Sequence, residues 1–190
     1  MNGRFGELNG ILVACIIAGS LAATRVEGQV LTEIHDPLRG VTFHSVELGS
    51  RSPDGDAGAL SAMRDSMMTI GLSAFRFDES PMVGEYILWL RHDGPGRWLP
   101  GSGGLTLTII SGERHIDAMS VHWYASGDAT RASALVEKLE YSLDGDDLSA
   151  ILDGGSAVIR LDTMLGEVSA SLTEADIEVL GRFMERISAR

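Results

Sequence analysis

The sequence predicts an α+β domain that is mostly β. The expected form is an antiparallel sheet, sandwich-like or barrel-like, with a short helix and a C-terminal helix packed on it. Three observations predict it. From Val41 onward apolar residues recur at period two or in short runs, the pattern of strands whose alternate side chains face opposite ways. Gly, Pro and Asp clusters punctuate these runs, and short connections such as Ser111-Gly112 suit antiparallel neighbours. The helical period is confined to the C-terminal third, so strands and helices do not alternate as a parallel α/β sheet requires.

Residues 1–28 read as an export signal. Arg4 precedes the apolar run Ile11–Ala23, which is shorter than the roughly 20 apolar residues a membrane-spanning helix needs. Small residues stand where a signal peptidase reads, at Ser20 and Ala22 or at Val26 and Gly28. Three fates stay open: removal after Ala22 or Gly28, retention as an N-terminal anchor, and acylation of Cys15. The third rests on Leu12-Val13-Ala14-Cys15, which fits a lipobox, although most of the apolar stretch follows Cys15. With Gln29 as the working start, residues 29–190 form one domain without internal repeat or linker, long enough to bury a sufficient core.

The expected strands are Val41–Leu48, Met68–Phe77, Val83–His92, Leu105–Ile110, Ile116–Ala125, Leu135–Leu143, Ala157–Asp162 and Glu167–Leu172. Gly49–Gly58 reads as a polar loop, and Ala59–Met67 as either a helical turn or a strand entry. Alternation is cleanest in Leu135–Leu143. Leu135, Leu139, Tyr141 and Leu143 share one face, while Val136, Lys138, Glu140 and Ser142 share the other. Glu137 breaks the inward row and is expected to mark an edge or a bulge.

Two helices complete the order. Asp144 caps the first, with Asp147 in its first turn, Leu148, Ile151 and Leu152 as its apolar stripe and Gly154 as its stop. Thr173 caps the second. Glu174 and Asp176 occupy its first turn, Ile177, Leu180, Phe183, Met184 and Ile187 its apolar face, and Arg182, Arg186 and Arg190 the end where positive charge suits the dipole.

The full chain carries a net charge of −12. Residues 1–28 hold Arg4, Arg25, Glu7 and Glu27, two charges of each sign, so the domain that follows also stands at −12. That balance disfavours nucleic acid and anionic membrane surfaces, which are bound through Lys and Arg. A membrane is expected to enter only through an uncleaved or lipidated N-terminus. Cys15 is the one cysteine, and cleavage would leave the mature domain with none, so on that reading disulfides, a thiolate nucleophile and cysteine-based zinc sites drop out. Asn occurs only at positions 2 and 9, and Lys138 is the single lysine beside fourteen arginines, a GC-rich bacterial usage.

One resemblance can be stated. Tyr141-Ser-Leu-Asp-Gly-Asp-Asp-Leu-Ser-Ala-Ile-Leu, then Ala157-Val-Ile-Arg-Leu and Ser171-Leu-Thr-Glu running to Phe183, resembles the ending of uncharacterised bacterial secreted β-rich domains. Asp36-Pro-Leu-Arg-Gly-Val-Thr42 is similar to an opening associated with them. The match covers about a third of the chain and consists of structural residues. It implies a fold and a periplasmic or secreted location, and no catalytic residues.

The chemistry-bearing residues are few. Glu113, His115 and Asp117, spaced by two, come nearest to a metal constellation, and His122 belongs on the opposite face of an unbroken strand. No serine stands in a nucleophile-elbow motif, and Gly101-Ser-Gly-Gly104 opens a strand rather than a helix. Asp144-Gly-Asp-Asp147 lacks the spacing of a calcium loop and is explained by capping. Trp89, Trp98, Trp123, Tyr86 and Tyr124 are the aromatic resource, set against core packing, which the methionines also serve. The reading is a non-enzymatic domain that binds a small molecule or an envelope protein, with Tyr86, Trp98 and Trp123 as its ligand-contacting residues. No catalytic residue, metal or cofactor is assigned. Two alternatives remain: a lipocalin-like carrier of a small apolar ligand, and a small hydrolase or metal-dependent enzyme using His115 and His122 or His44.

Overall fold

The computed structural model describes residues 21–26, 29–56, 67–80, 83–93, 106–126, 136–163 and 166–188. Their elements run β1 (Leu21–Val26), β2 (Gln29–Asp36), β3 (Val41–Arg51), β4 (Asp54–Gly55), β5 (Met67–Phe77), β6 (Val83–Asp93), β7 (Thr106–Ser111), β8 (Arg114–Ser126) and β9 (Val136–Leu143). After β9 come α1 (Gly145–Asp153), β10 (Ala157–Thr163), β11 (Gly166–Leu172) and α2 (Glu174–Ser188). The fold is α+β and mostly β, as the alternation predicts.

All eleven strands join one antiparallel sheet in the order β1-β2-β3-β5-β6-β9-β8-β7-β10-β11-β4. The sheet curls into a half-barrel. Its curvature shows in the chain path, because β3 lies near one edge while β4, which follows it directly, pairs with β11 at the other. Gly49–Gly58 is therefore not simply the polar loop expected. Gly49 to Arg51 extend β3 past a bulge at Glu47/Gly49, where Gly49 has φ +101°, and Asp54–Gly55 form β4. β2 also escaped the sequence pattern. Leu31, Glu33 and His35 alternate with Val30, Thr32 and Ile34, so neither row is distinctly apolar.

One face of the sheet holds the core. Val46, Ile70, Leu72, Leu88, Leu90, Leu139, Tyr141, Leu107, Ile109, Ile159 and Val168 lie on it, and both helices pack there. α2 touches β3 and β11 and so lies across the opening of the curl, with α1 against it. It buries Ile177, Val179, Leu180, Phe183 and Ile187.

The helix starts follow the expected chemistry. Asp144 accepts from the Asp147 amide at 2.8 Å, and Asp147 accepts from the Asp144 amide at 3.3 Å. Thr173 and Asp176 make the same exchange on α2. The Asp176 carboxylate accepts from the Thr173 amide at 2.8 Å, and the Thr173 hydroxyl accepts from the Asp176 amide at 3.3 Å. Asp176 also takes both terminal nitrogens of Arg51, at 3.0 and 3.2 Å. Arg51 donates to the Ser171 carbonyl as well, which joins the end of β3 to the far side of the half-barrel.

The apolar run Ile11–Ala23, apart from its last three residues, lies outside the described residues together with Cys15. β1 ends inside the segment read as an export signal and pairs with β2 along its length. Removal after Gly28 would take β1 with it and make β2 the edge strand. Among the described residues, no helix is long and apolar enough to cross a membrane.

Candidate functional site

Among the described residues, two pairs of a buried histidine with a carboxylate stand on the core face, towards opposite ends of the strands. Each joins register partners on adjacent strands. His92 on β6 opposes Glu137 on β9, with Nδ1 3.4 Å from Oε2 and both side chains wholly buried. His44 on β3 opposes Glu33 on β2, with Nδ1 3.7 Å from Oε2, but here the carboxylate is 22 % exposed beside an imidazole at 1 %. The first pair is sealed, whereas the second opens to solvent through Glu33. A group that meets a ligand must be reachable, so the Glu33–His44 corner is the candidate site.

Strand register assembles that corner. Thr42 is the partner of both His35 and Arg76, and Ala74 is the partner of both His44 and Tyr86. Alternation puts all of these on the same face as Val46 and Leu72. Ala74 contributes only a methyl group between the His44 and Tyr86 rows. His35 Nδ1 lies 3.1 Å from the Thr42 hydroxyl and 3.8 Å from the Asp78 carboxylate. Local sequence holds the rim in place. Asp36 accepts from the Leu38 amide at 3.0 Å, Gly40 takes φ +60° in the β2–β3 turn, and its carbonyl accepts from the Asp78 amide at 2.8 Å. Burial raises the Tyr86 phenol above its ordinary pKa, which keeps it a hydroxyl.

Chemically, the corner offers a carboxylate-held imidazole, a guanidinium, a phenol and a second histidine. Ser45 and Ser73, next to His44 and Ala74 in the chain, lie on the opposite face of the sheet and bond to each other at 3.0 Å.

The residues expected to bind ligand are placed apart. Tyr86 is half-buried at the corner, opposite Leu143 of β9. Trp123 opposes Leu139 of the same strand and is 44 % exposed. Trp98 lies outside the described residues, as does Gly101-Ser-Gly-Gly104. Trp89 packs on the other face, over Gly71 and beneath the Lys138 ammonium, which sits 5.2 Å from its ring centroid.

Two expectations about β8 and β9 are corrected. Glu137 marks neither an edge nor a bulge: β9 is interior, and the carboxylate points inward because His92 meets it. His122 returns to the face of His115 rather than opposing it, because a bulge between Ser120 and His122 shifts the alternation by one residue. The two histidines still form no site with their neighbours. Glu113 sits in a turn, Asp117 accepts from the Thr108 hydroxyl at 2.8 Å, and no group of three metal-capable side chains occurs among the described residues.

The sequence pattern singled out His44 and Tyr86 but not Glu33, His35 or Arg76. β2 was not readable as a strand, and a lone arginine inside an apolar strand carries no spacing signal. Comparisons with protein-family models, with curated proteins and with solved structures found no match.

Proposed function

We propose that this chain is an exported bacterial domain of the cell envelope that binds a small ligand without transforming it, at the Glu33–His44–Arg76 corner. The observation that carries this reading is the contrast between the two histidine–carboxylate pairs. A pair that only stabilises the sheet can be sealed, as His92–Glu137 is. Glu33–His44 sits at the rim with its carboxylate in contact with water, beside a guanidinium and a phenol. Burying ionisable groups this way costs free energy that well-packed apolar residues would avoid, so their presence favours a recognition role. Binding is favoured over serine hydrolysis because Ser45 and Ser73, next to His44 and Ala74 in the chain, face away from the corner. A rim site is favoured over an apolar carrier cavity because Leu72, Tyr141 and Phe183 are among the side chains filling the core. Export rests on Arg4 and the apolar run Ile11–Ala23.

A thermal-shift screen of small polar metabolites tests the binding role, comparing the natural protein with Glu33→Gln and His44→Gln. Ligands that raise the unfolding midpoint of the natural protein should lose most of that effect in both variants and keep it in Met119→Ser, a change at a remote surface residue. A midpoint shift that survives both corner substitutions would place binding elsewhere. Turnover of a hit compound would make the protein an enzyme. Intact mass of the chain recovered from soluble and membrane fractions tests export and the fate of Cys15.

A further inference from the structure

We propose, resting on the binding reading above, that the ligand of this corner is a small monocarboxylate held by the Arg76 guanidinium. Arg76 stands on the core face of β5 between its partners Thr42 and Val83. Its Nη1 is buried and has no hydrogen-bond acceptor among the described residues. A guanidinium stays charged at every physiological pH, and burying one of its N–H groups without an acceptor costs free energy that a ligand oxygen would recover. The neighbouring acids are engaged elsewhere: Glu33 lies 3.7 Å from His44, and Asp78 lies 3.8 Å from His35.

The chemistry of the neighbours selects the class of ligand. A planar carboxylate matches the fork of a guanidinium and accepts two parallel hydrogen bonds from it. A phosphate dianion brings a second negative charge to a rim that already carries Glu33 and Asp78, on a chain of net charge −12. A single negative charge is what one guanidinium balances. Tyr86, in register with Ala74 and next to the Arg76 row, supplies a hydroxyl donor for the same oxygen atoms. A neutral amide of the same shape would satisfy one N–H without neutralising the cation.

The test is a titration of the purified protein with propionate and with its neutral isostere propionamide, followed by NMR shifts of the His35 and His44 rings and of the Arg76 amide. Propionate should give saturable shifts at the corner, and propionamide should give none. Arg76→Gln should weaken propionate at least tenfold. Arg76→Lys, which keeps the charge but loses the fork, should weaken it several-fold. Should Arg76→Gln fail to fold, the contrast between propionate and propionamide, together with the lysine variant, still decides. Equal binding of the amide would overturn the carboxylate assignment while leaving a binding corner intact. Propionate binding undiminished in the arginine variants would also overturn it, as would no saturable shift with either compound.

Discussion

Glu137 and His92 face each other across the β6–β9 pair as register partners, both fully buried, with the imidazole Nδ1 3.4 Å from the carboxylate Oε2. Each explains why the other is tolerated inside an apolar sheet. Removing one partner leaves a buried polar group without its counterpart, whereas removing both leaves an apolar surface. Glu137→Leu should therefore lower stability by about 3–5 kcal/mol, the usual cost of breaking a buried pair. The double variant His92→Leu with Glu137→Leu should recover much of that loss. Urea unfolding of both single variants and the double measures it; additive losses would show that the residues do not act as a pair.

Gly71 and Trp89 are a second such pair, on the opposite face. A Cβ at position 71 would fall 2.1 Å from Trp89 Cζ2 and 2.6 Å from the Val46 carbonyl oxygen. The backbone oxygen cannot retreat as a flexible side-chain tip does. Gly71→Ala should cost about 1–3 kcal/mol, the usual range for overpacking. It should also move the indole off its seat, raising the solvent exposure of Trp89. Tryptophan emission and the unfolding midpoint report the two effects, and an unchanged midpoint would contradict the close contact.

The Arg51–Asp176 clasp makes stability depend on pH. Burial would raise the Asp176 pKa, but hydrogen bonds from Arg51 and Thr173, with the charge of Arg51, outweigh it and hold the carboxyl below its ordinary range. A depressed folded-state pKa contributes stability that is complete above the ordinary aspartate value, about 3.9. That stability is lost as pH falls through the folded-state value. Asp176→Asn should therefore destabilise near neutrality by about 3 kcal/mol, the lower end for a buried pair, since Arg51 is partly exposed. The difference between the two proteins should shrink in strong acid. Unfolding midpoints from pH 7 down to about 2 follow both proteins through the window in which carboxylates titrate; a gap that does not narrow would assign the effect to something other than ionisation.

Phe183 sits on the face of α2 that closes the half-barrel and is buried in the common core. Phe183→Ala should cost about 3–5 kcal/mol through lost transfer energy and the cavity left behind. An unfolding midpoint equal to that of the natural protein would show that α2 does not close the core.

The corner itself was only partly legible. His44 and Tyr86 stood in recognisable strands, so their identities could be named from the sequence. Their meeting with Glu33 and Arg76 could not, because it depends on β2 pairing with β3 and on β5 pairing on its other side. The same holds on β8. A bulge near Val121 reverses the alternation after it, and nothing in the sequence Met119-Ser-Val-His122 announces the extra residue.

By itself the sequence determined the strand-dominated class, most strand positions, both helices and their caps. These features are written in short-range patterns: period two, period 3.6, and an acid or hydroxyl before a helical run. The tertiary structure alone decided that β9 lies between β6 and β8, that β7 meets β10, and that β4 reaches the far edge. It also decided that one acidic residue is sealed against His92 while another meets water beside His44. The physical reason is the range of the interactions. Periodicity reflects which side of one strand faces away from water, a local property. Register and strand order are set by which pairings bury the whole core face at once and give each inward polar group a partner, which depends on residues far apart in the chain.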